Sequence, residues 1–192
     1  MSADLASEPG ATPQERLLDA AERLLMRVGY AGITTRRLAT EAAVNHGLVH
    51  YYFGSNDNLL VQALERFTER LLARQRDLYA SQMPFVEKWR TAMGFLTNED
   101  LGYEKIWFEL QALGWNDPDV RHRLARVNQE WRAVLTTAFE APHRELGIPI
   151  PLEALVALVM TFNIGVIVER LGGIDAGHEE LLEWIDRWLS SQ

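Results

Sequence analysis

The sequence contains no cysteine among its 192 residues. Disulfide bonds and thiolate metal sites are therefore excluded, and a reducing compartment, the cytoplasm, is expected. The first ten residues are small and polar and lack the basic start and apolar core of a signal peptide, so we expect a disordered tail over residues 1–11. Repeats, low-complexity segments and alternating strand-like runs of useful length are also missing, which leaves a helical pattern.

Signs of catalysis and of metal binding are equally scarce. There is no glycine-rich phosphate loop, and no serine or acidic residue has the sequence context of a nucleophile. Of the five histidines, only His46 and His50 have the i, i+4 spacing of a metal-binding pair on a helix, and no adjacent glutamate or third ligand accompanies them. We therefore expect no enzyme activity, no cofactor and no metal.

The charge does not decide between classes of partner. The net charge of −8 argues against nucleic acid at first sight. Residues 11–60, however, carry five arginines against five acids, so this segment is neutral, and the acidity lies in the tail and in the remainder of the chain. A neutral segment can bind DNA if its cations share one face.

Capping signals place the first helix clearly. Thr12, Pro13 and Glu15 have the spacing of a capping box with proline in the first turn, and Gly29 ends the helix. A second, short helix begins at Thr34 or Thr35 and ends before a break near Ala43 and Val44. These signals predict two helices joined by a tight turn to a third.

The third helix is expected to start at the cap Asn45 and to run to about Phe53, followed by Gly54. Ser55 then caps a fourth helix that starts at Asn56. Beyond residue 80 the pattern stays helical, with starts at Pro84, at Asp117-Pro118 and at Pro151. We predict an all-α fold: a tail (1–11), a helix-turn-helix domain (12–58) and a larger helical domain for effector binding and dimerisation (59–192).

Three short helices with a tight break between the second and the third are the plan of a helix-turn-helix unit, whose third helix lies in the DNA major groove. Short polar side chains at Asn45 and His46 can meet base edges there, and Gly47 permits a close approach of the DNA backbone. Val49, Tyr52 and Phe53 are expected to pack inward. The side chains expected to face outward are Leu48, His50 and Tyr51.

The segments AAERLLMRVGYAGIT and TTRRLATEAAVNHGLVHYYFGSNDNLL resemble the N-terminal DNA-binding region of TetR/AcrR-type transcriptional regulators. The resemblance covers Thr12 to about Leu71. It implies base and phosphate contacts with double-stranded operator DNA from Thr35, Arg36, Asn45, His46, Gly47, Leu48, His50 and Tyr51. After the recognition helix the family usually has Ser-Lys-Glu, and its lysine contacts a DNA phosphate. This chain has Ser55-Asn56-Asp57 there, so Asn56 would have to make the phosphate contact in place of the lysine.

A long apolar run, Leu152 to Leu171, is interrupted by Glu153, Asn163 and Glu169-Arg170 and is too short between them for the roughly 20 residues of a bilayer span. No membrane partner is expected, and a helix that is apolar on all sides must be covered by its own domain and by a partner. The resemblance implies a homodimer through the last two long helices. The candidate interface residues are Val156, Val159, Met160, Asn163, Ile167, Leu181, Ile185, Trp188 and Leu189.

The resemblance also implies a small-molecule pocket in the C-terminal domain. Aromatic and polar residues at helical spacing suit such a pocket, although the same residues can simply fill the core of a helical bundle. The candidates are Tyr103, Trp107, Phe108, Gln111, Trp115, Asn128, Trp131, Phe162 and Asn163.

The sequence thus predicts a cytoplasmic, homodimeric regulator of transcription, a repressor released from DNA by a small organic effector. Two other classes stay open: a helical ligand-binding or scaffold protein whose helix-turn-helix has lost DNA affinity, and a small helical enzyme acting in the C-terminal cavity. The first predicts no salt-dependent DNA binding, and the second predicts turnover with a titrating acid or base in the cavity.

Overall fold

The computed structural model describes residues 10–191, apart from the side chains of residues 98, 99 and 101. Within this range the regular structure is helical, which confirms the predicted all-α class; most of the predicted tail lies outside the described residues. A 3₁₀ turn spans Tyr30–Gly32 and a π-helical turn spans Phe95–Glu99. The α-helices are α1 (Pro13–Val28), α2 (Thr35–Glu41), α3 (Gly47–Phe53), α4 (Asn56–Ala80), α5 (Phe85–Gly94), α6 (Leu101–Gly114), α7 (Pro118–Glu145), α8 (Leu152–Leu171) and α9 (His178–Ser190).

The predicted caps of α1, α4 and α7 are present at the helix starts. The Thr12 side chain accepts a hydrogen bond from the Glu15 backbone N–H, and the Glu15 carboxylate accepts one from the Thr12 N–H, so the capping box of α1 is complete. The Ser55 hydroxyl accepts from the Asn58 N–H at 3.1 Å at the start of α4. Asp117 accepts from the N–H groups of Asp119 and Val120 at the start of α7. Local sequence chemistry therefore sets these boundaries.

The turn between α2 and α3 has an unusual residue at its centre. Ala43 has a φ of +52°, a region that glycine normally occupies. The Val44 N–H donates to the Ala39 carbonyl at 2.9 Å and the Ala43 N–H to the Thr40 carbonyl at 3.2 Å, which is the pattern of a Schellman motif. The turn thus ends α2 abruptly and redirects the chain into α3.

The chain divides into two compact units. The first contains the described residues up to Arg70 together with Lys105–Val127, and the second contains Leu71–Glu104 and the residues from Asn128 onward. All three boundaries between the units, after Arg70, Glu104 and Val127, fall inside helices. The predicted domain boundary after residue 58 lies inside the first unit, and the predicted domain division stays a prediction.

Helices α1, α2 and α3 pack against one another in the first unit. Their core consists of side chains that are almost completely buried: Leu17, Ala20, Ala21, Leu24, Leu38, Val49 and Phe53. Because α3 contributes only Val49 and Phe53 to this core, one side of the helix is fixed and the other faces solvent.

The second unit has an aromatic centre. The Phe139 ring lies edge-on to the rings of Phe85 and Trp89, with centroids 5.2 and 6.3 Å away, and tilted toward that of Tyr79 at 6.4 Å. Aliphatic side chains of α7 and α8 complete this cluster: Leu135, Leu155, Val156 and Val159. By length and composition α8 is apolar enough to cross a membrane, which for a single such helix is weak evidence.

Candidate functional site

The outer face of α3 and the turn before it are exposed. Asn45, His46, Gly47 and His50 are solvent-exposed, and the Tyr51 ring is 78% exposed, an unusually high value for an aromatic side chain. Leu48 and Tyr52 are half-buried, whereas Val49 and Phe53 point into the core. Val49 and Phe53 face the core and His50 and Tyr51 face solvent, as the sequence pattern predicts. Tyr52, predicted to face inward, and Leu48, predicted to face outward, are both half-buried.

The helix α3 begins after His46, which occupies the N-cap position without a side-chain hydrogen bond, so the prediction of Asn45 as the cap is off by one residue. The Asn45 side-chain oxygen accepts a hydrogen bond from the Gly47 N–H at 2.9 Å in the turn before the helix. A Cβ added to Gly47 would meet only this oxygen, at an ordinary contact distance of 3.4 Å, and Gly47 has no positive φ. Nothing inside the described chain therefore requires glycine at position 47.

His50 makes a contact that sequence reasoning did not foresee. Its Nδ1 lies 2.9 Å from the Gly54 carbonyl oxygen, so Nδ1 donates to this acceptor. In the neutral ring the proton is then on Nδ1, and Nε2 is an acceptor available to an external partner. His50 thus stabilises the end of α3 and still presents one polar atom outward.

Two further predicted DNA-binding residues contact each other. The Thr35 hydroxyl donates to the Asn56 side-chain oxygen at 3.0 Å, and both residues are half-buried. Arg36, the neighbour of Thr35, is exposed at the first turn of α2. Arg37 donates to the Gly32 carbonyl at 3.1 Å, which leaves Arg36 as the freer of the two guanidinium groups.

Asn58 joins the start of α4 to the end of α3, and sequence reasoning missed it. Its side-chain N–H₂ donates to the Phe53 carbonyl at 2.7 Å, and its side-chain oxygen accepts from Arg123 of α7. Arg123 also pairs with Glu65. The only local signal was the position of Asn58 three residues after the cap Ser55, and nothing in the sequence indicated a contact 65 residues away.

A second chain of contacts runs from α6 to the start of α4. Glu109 accepts a hydrogen bond from the Tyr30 N–H at 2.7 Å, and the Tyr30 hydroxyl donates to Asp57 at 2.9 Å. Burial and the Asp57 carboxylate raise the pKa of Tyr30 to about 12. The Glu109 carboxylate is therefore engaged inside the protein.

Three arginines of α4 pair with carboxylates within their own unit. Arg66 lies 2.6 Å from Asp19 and 2.7 Å from Glu22, and Arg70 lies 2.6 Å from Glu22, which is almost completely buried. Arg74 pairs with Asp100 in the second unit.

The nine predicted effector residues have different environments. Tyr103 and Trp107 are buried, whereas Trp115 is 72% exposed. Half-buried positions are Phe108, Gln111, Asn128, Trp131, Phe162 and Asn163. Trp107, Phe108, Gln111 and Trp115 belong to the first unit and the other five to the second. Their role in ligand binding stays a prediction.

Polar atoms without partners occur in the interior of the second unit. The side-chain oxygens of Gln75 and Asn163 are buried without a hydrogen-bond partner among the described residues. Glu104, one position after Tyr103, is shielded from solvent and lies near Asp100, and both effects raise its pKa to about 8. Buried polar groups without a partner are rare in native proteins, and strongly shifted pKa values cluster at functional sites.

The nine residues predicted for the dimer interface differ in how far they are exposed to solvent. Val156, Val159 and Ile167 are buried within the protomer, and Met160, Asn163, Ile185 and Leu189 are half-buried. Leu181 and Trp188 are exposed. Apolar residues that the sequence did not single out continue this exposed surface at helical spacing: Leu158, Ile164, Val168 and Leu171 on α8, and Trp184 on α9.

Known proteins resemble both parts of the chain. Residues 17–63 match the family described as bacterial regulatory proteins, tetR family. An HTH-type transcriptional regulator from the dhlA 5′ region of Xanthobacter autotrophicus is 45% identical over 58 residues, 30% of this chain and 29% of the relative. The transcriptional repressor KstR of Rhodococcus jostii is 36% identical over 74 residues, 38% of this chain and 35% of KstR.

Similarity over the whole fold comes from a solved structure. A transcriptional regulator from Saccharomonospora viridis in complex with choline superposes with a TM-score of 0.73 over 93% of each chain, at 18% sequence identity. This level of identity shows a shared fold alone. The alignments with the two curated relatives span about a third of their lengths.

The fold and the exposed recognition helix define a helix-turn-helix protein with a helical C-terminal part. Residues 17–63 match the tetR family of bacterial regulatory proteins, and the whole chain shares its fold with the solved regulator. The curated relatives that the chain matches carry the names of a transcriptional regulator and a transcriptional repressor.

Proposed function

We propose that the protein is a sequence-specific operator-binding repressor that acts as a homodimer in the cytoplasm and releases DNA when a small organic effector binds its helical C-terminal part. The observation that carries this proposal is the outer face of α3. Polar and aromatic groups are exposed there at Asn45, His46, His50 and Tyr51, while the opposite side of the helix is fixed in the core. This is the arrangement that reads base edges in the major groove.

Gly47 supports the same proposal. Since the surrounding chain leaves room for a Cβ at this position, the missing side chain is explained by a contact outside the protein. A DNA strand that passes the start of α3 needs this space, and the backbone N–H groups at the helix start favour a phosphate. Arg36 on α2 adds an exposed cation close in sequence to the same turn.

Dimerisation is proposed through α8 and α9. The exposed apolar surface made by Leu158, Ile164, Val168, Trp184 and Trp188 is unusual for a soluble monomer. A two-fold copy of the same surface would cover it, as in most symmetric dimers. Two recognition helices would then meet two half-sites of one operator.

Effector binding is proposed for the helical C-terminal part. The buried oxygens of Gln75 and Asn163 lack partners among the described residues, and a ligand with N–H or O–H donors would satisfy them. The regulator from Saccharomonospora viridis with this fold holds choline. The release of DNA requires that the effector binds one state of the protein more tightly than the other.

The route from effector to DNA is proposed to run through Asn58 and Tyr30. Arg123 of α7 and Glu109 of α6 reach the first turns of α4 through these two residues, and Asn58 also binds the last carbonyl of α3. A small shift of α6 or α7 would therefore move the start of α4 and change the position of α3. The two recognition helices would no longer match the spacing of the half-sites.

The experiment is selection of bound duplexes from genomic fragments at low ionic strength, followed by anisotropy titration of the selected operator at several salt concentrations. We expect affinity to fall as salt rises, because phosphate contacts release counterions. Simultaneous replacement of Asn45, His46 and Tyr51 by alanine should weaken binding by about a hundredfold, since each base contact is worth about 1–3 kcal/mol.

The matched control is His122→Ala, which removes an exposed histidine of α7 that is not among the predicted DNA-binding residues. It should leave the affinity within about twofold of the original. Unchanged binding by a folded triple variant would refute the placement of α3. Absence of any salt-dependent binding would favour the ligand-binding or scaffold alternative, which the engagement of Asn56 with Thr35 in place of a phosphate makes worth testing.

A further inference from the structure

A cleft of about 540 Å³ lies in the second unit between α5, the end of α8 and α9. Trp89, Met93 and Leu182 provide an apolar floor, and Trp89 and Met93 are themselves largely buried. None of the nine predicted effector residues lines this cleft. Its volume suits a small organic molecule, and its walls combine apolar surface with a few charged groups.

His178 lines the cleft at the first turn of α9 with a side chain that is only 9% exposed. Its Nε2 lies 2.6 Å from the Glu169 carboxylate. A carboxylate accepts, so Nε2 donates and, in the neutral ring, Nδ1 is left as an acceptor. This Nδ1 is buried without a hydrogen-bond partner in the part of the chain that the structure describes. Unsatisfied buried acceptors are rare in native proteins, and a bound donor is one way to satisfy them.

The charges around the cleft favour a cationic ligand. Arg90 is neutralised by both carboxylate oxygens of Asp186, at 2.8 and 3.0 Å, and Arg170 faces Asp175 at 3.4 Å. The remaining charged side chains of the lining are Glu179 and Glu183. Glu183 has only a long contact of 3.4 Å to the exposed Arg187, so negative charge is in excess at the rim.

We propose that this cleft binds a small amphipathic primary or secondary amine. Its ammonium group lies between the carboxylates of Glu179 and Glu183 and donates an N–H to His178 Nδ1. Its hydrocarbon or aromatic part packs on Trp89, Met93 and Leu182. An ammonium group near the Trp89 ring gains a further cation–π attraction. This site is separate from the effector residues and from the DNA-binding face, so it goes beyond the proposed function.

The test is isothermal titration of the full chain, without DNA, with three probes of similar size. 2-Phenylethylammonium has a positive charge and N–H donors, phenyltrimethylammonium has the charge without the donors, and phenylacetate has the opposite charge. We expect the first to bind at least about tenfold more tightly than the second, the difference of one charge-assisted hydrogen bond. Phenylacetate should give no detectable binding.

Two variants locate the site. Glu179→Gln should weaken binding of 2-phenylethylammonium about fivefold, and His178→Gln should remove the preference for the probe with N–H donors. The matched control is Glu180→Gln, the neighbouring exposed glutamate, which does not line the cleft and should leave binding unchanged. Thermal unfolding checks each variant; if His178→Gln does not fold, the comparison of Glu179→Gln with Glu180→Gln decides.

Three results would overturn the proposal. One is no binding of the primary amine at millimolar concentration, and another is equal binding of all three probes. The third is binding that is lost in Trp107→Ala but retained in Glu179→Gln, which would place the amine among the predicted effector residues. Since no DNA is present, any of these results leaves the operator-binding proposal untouched.

Discussion

The two compact units are held together by different kinds of contact. In the first unit, ion pairs and polar bridges join distant helices, as with Arg66 to Asp19 and Glu22, or Arg123 to Glu65. In the second unit, the rings around Phe139 dominate. Among the described residues, buried side-chain polar atoms without a partner occur in both units, at Arg16 Nε in the first and at Gln75 and Asn163 in the second.

The two units therefore differ in what a substitution removes. A change in the aromatic cluster of the second unit leaves a cavity, whereas a change at an exposed side chain of α3 in the first unit removes few contacts.

The largest effect is expected for Phe139→Ala. This change removes the ring at the centre of the aromatic cluster and leaves a cavity, which should lower the free energy of unfolding by about 3–5 kcal/mol. Tyr51→Ala, the matched change at an exposed ring of the first unit, should alter it by less than about 0.5 kcal/mol. Denaturant unfolding of both variants makes the comparison. A loss below 1 kcal/mol in Phe139→Ala would mean that the cluster does not dominate the stability of the second unit.

An intermediate effect is expected for Glu104→Gln and depends on pH. Because burial and Asp100 raise the folded-state pKa of Glu104 to about 8 from 4.5, the folded protein holds this proton between those values and the unfolded chain does not. The stability contributed by the proton is complete below pH 4.5 and is lost as pH rises to 8. Glutamine should therefore stabilise the protein by about 2 kcal/mol at pH 8.

Unfolding curves of Glu104→Gln between pH 5 and pH 9 check this prediction, and the gain should disappear toward pH 5. Glu140→Gln, an exposed position on α7, is the control and should show the pH dependence of the original protein. An identical pH dependence in Glu104→Gln would show that the Glu104 carboxyl titrates normally, and the contrast between the two units would lose this support.

The smallest effect is expected at the turn between α2 and α3. Ala43→Gly should raise the free energy of unfolding by about 0.5–1 kcal/mol, since glycine relieves the left-handed conformation at a modest cost in unfolded-chain entropy. Ala42→Gly, one residue earlier and in the ordinary helical region, should instead lower it by about 1 kcal/mol. Thermal unfolding of the two variants measures opposite shifts if the geometry is right, and a destabilised Ala43→Gly would contradict it.

The sequence predicted the helices and the outer face of α3 because these depend on local chemistry. Thr12, Ser55 and Asp117 bond to backbone groups within three residues, so these caps can be predicted from spacing alone. The burial of Val49 and Phe53 and the exposure of Tyr51 follow from helical periodicity.

The remaining features depend on contacts between segments far apart in the chain. Asn58 meets Arg123 and Tyr30 meets Glu109, and neither pair leaves a mark in the local sequence. For the same reason the sequence selected Val156, Val159 and Ile167 for the interface when they are buried in the protomer, because an all-round apolar helix such as α8 does not reveal which side its own domain covers. The exposure of Ile164 and Trp184 could be recognised only from the folded structure.

The hydrogen bonds of α3 to its surroundings are unevenly distributed along its length. At the C-terminal end of α3, the Asn58 side chain donates to the Phe53 carbonyl and the His50 ring donates to the Gly54 carbonyl. At the N-terminal end, Asn45 supplies one side-chain hydrogen bond, to the Gly47 N–H. More side-chain hydrogen bonds therefore hold the last turn of α3 than its first turn. If α3 enters the major groove as proposed, the first turn is the part of the helix that can adjust to small differences in groove shape.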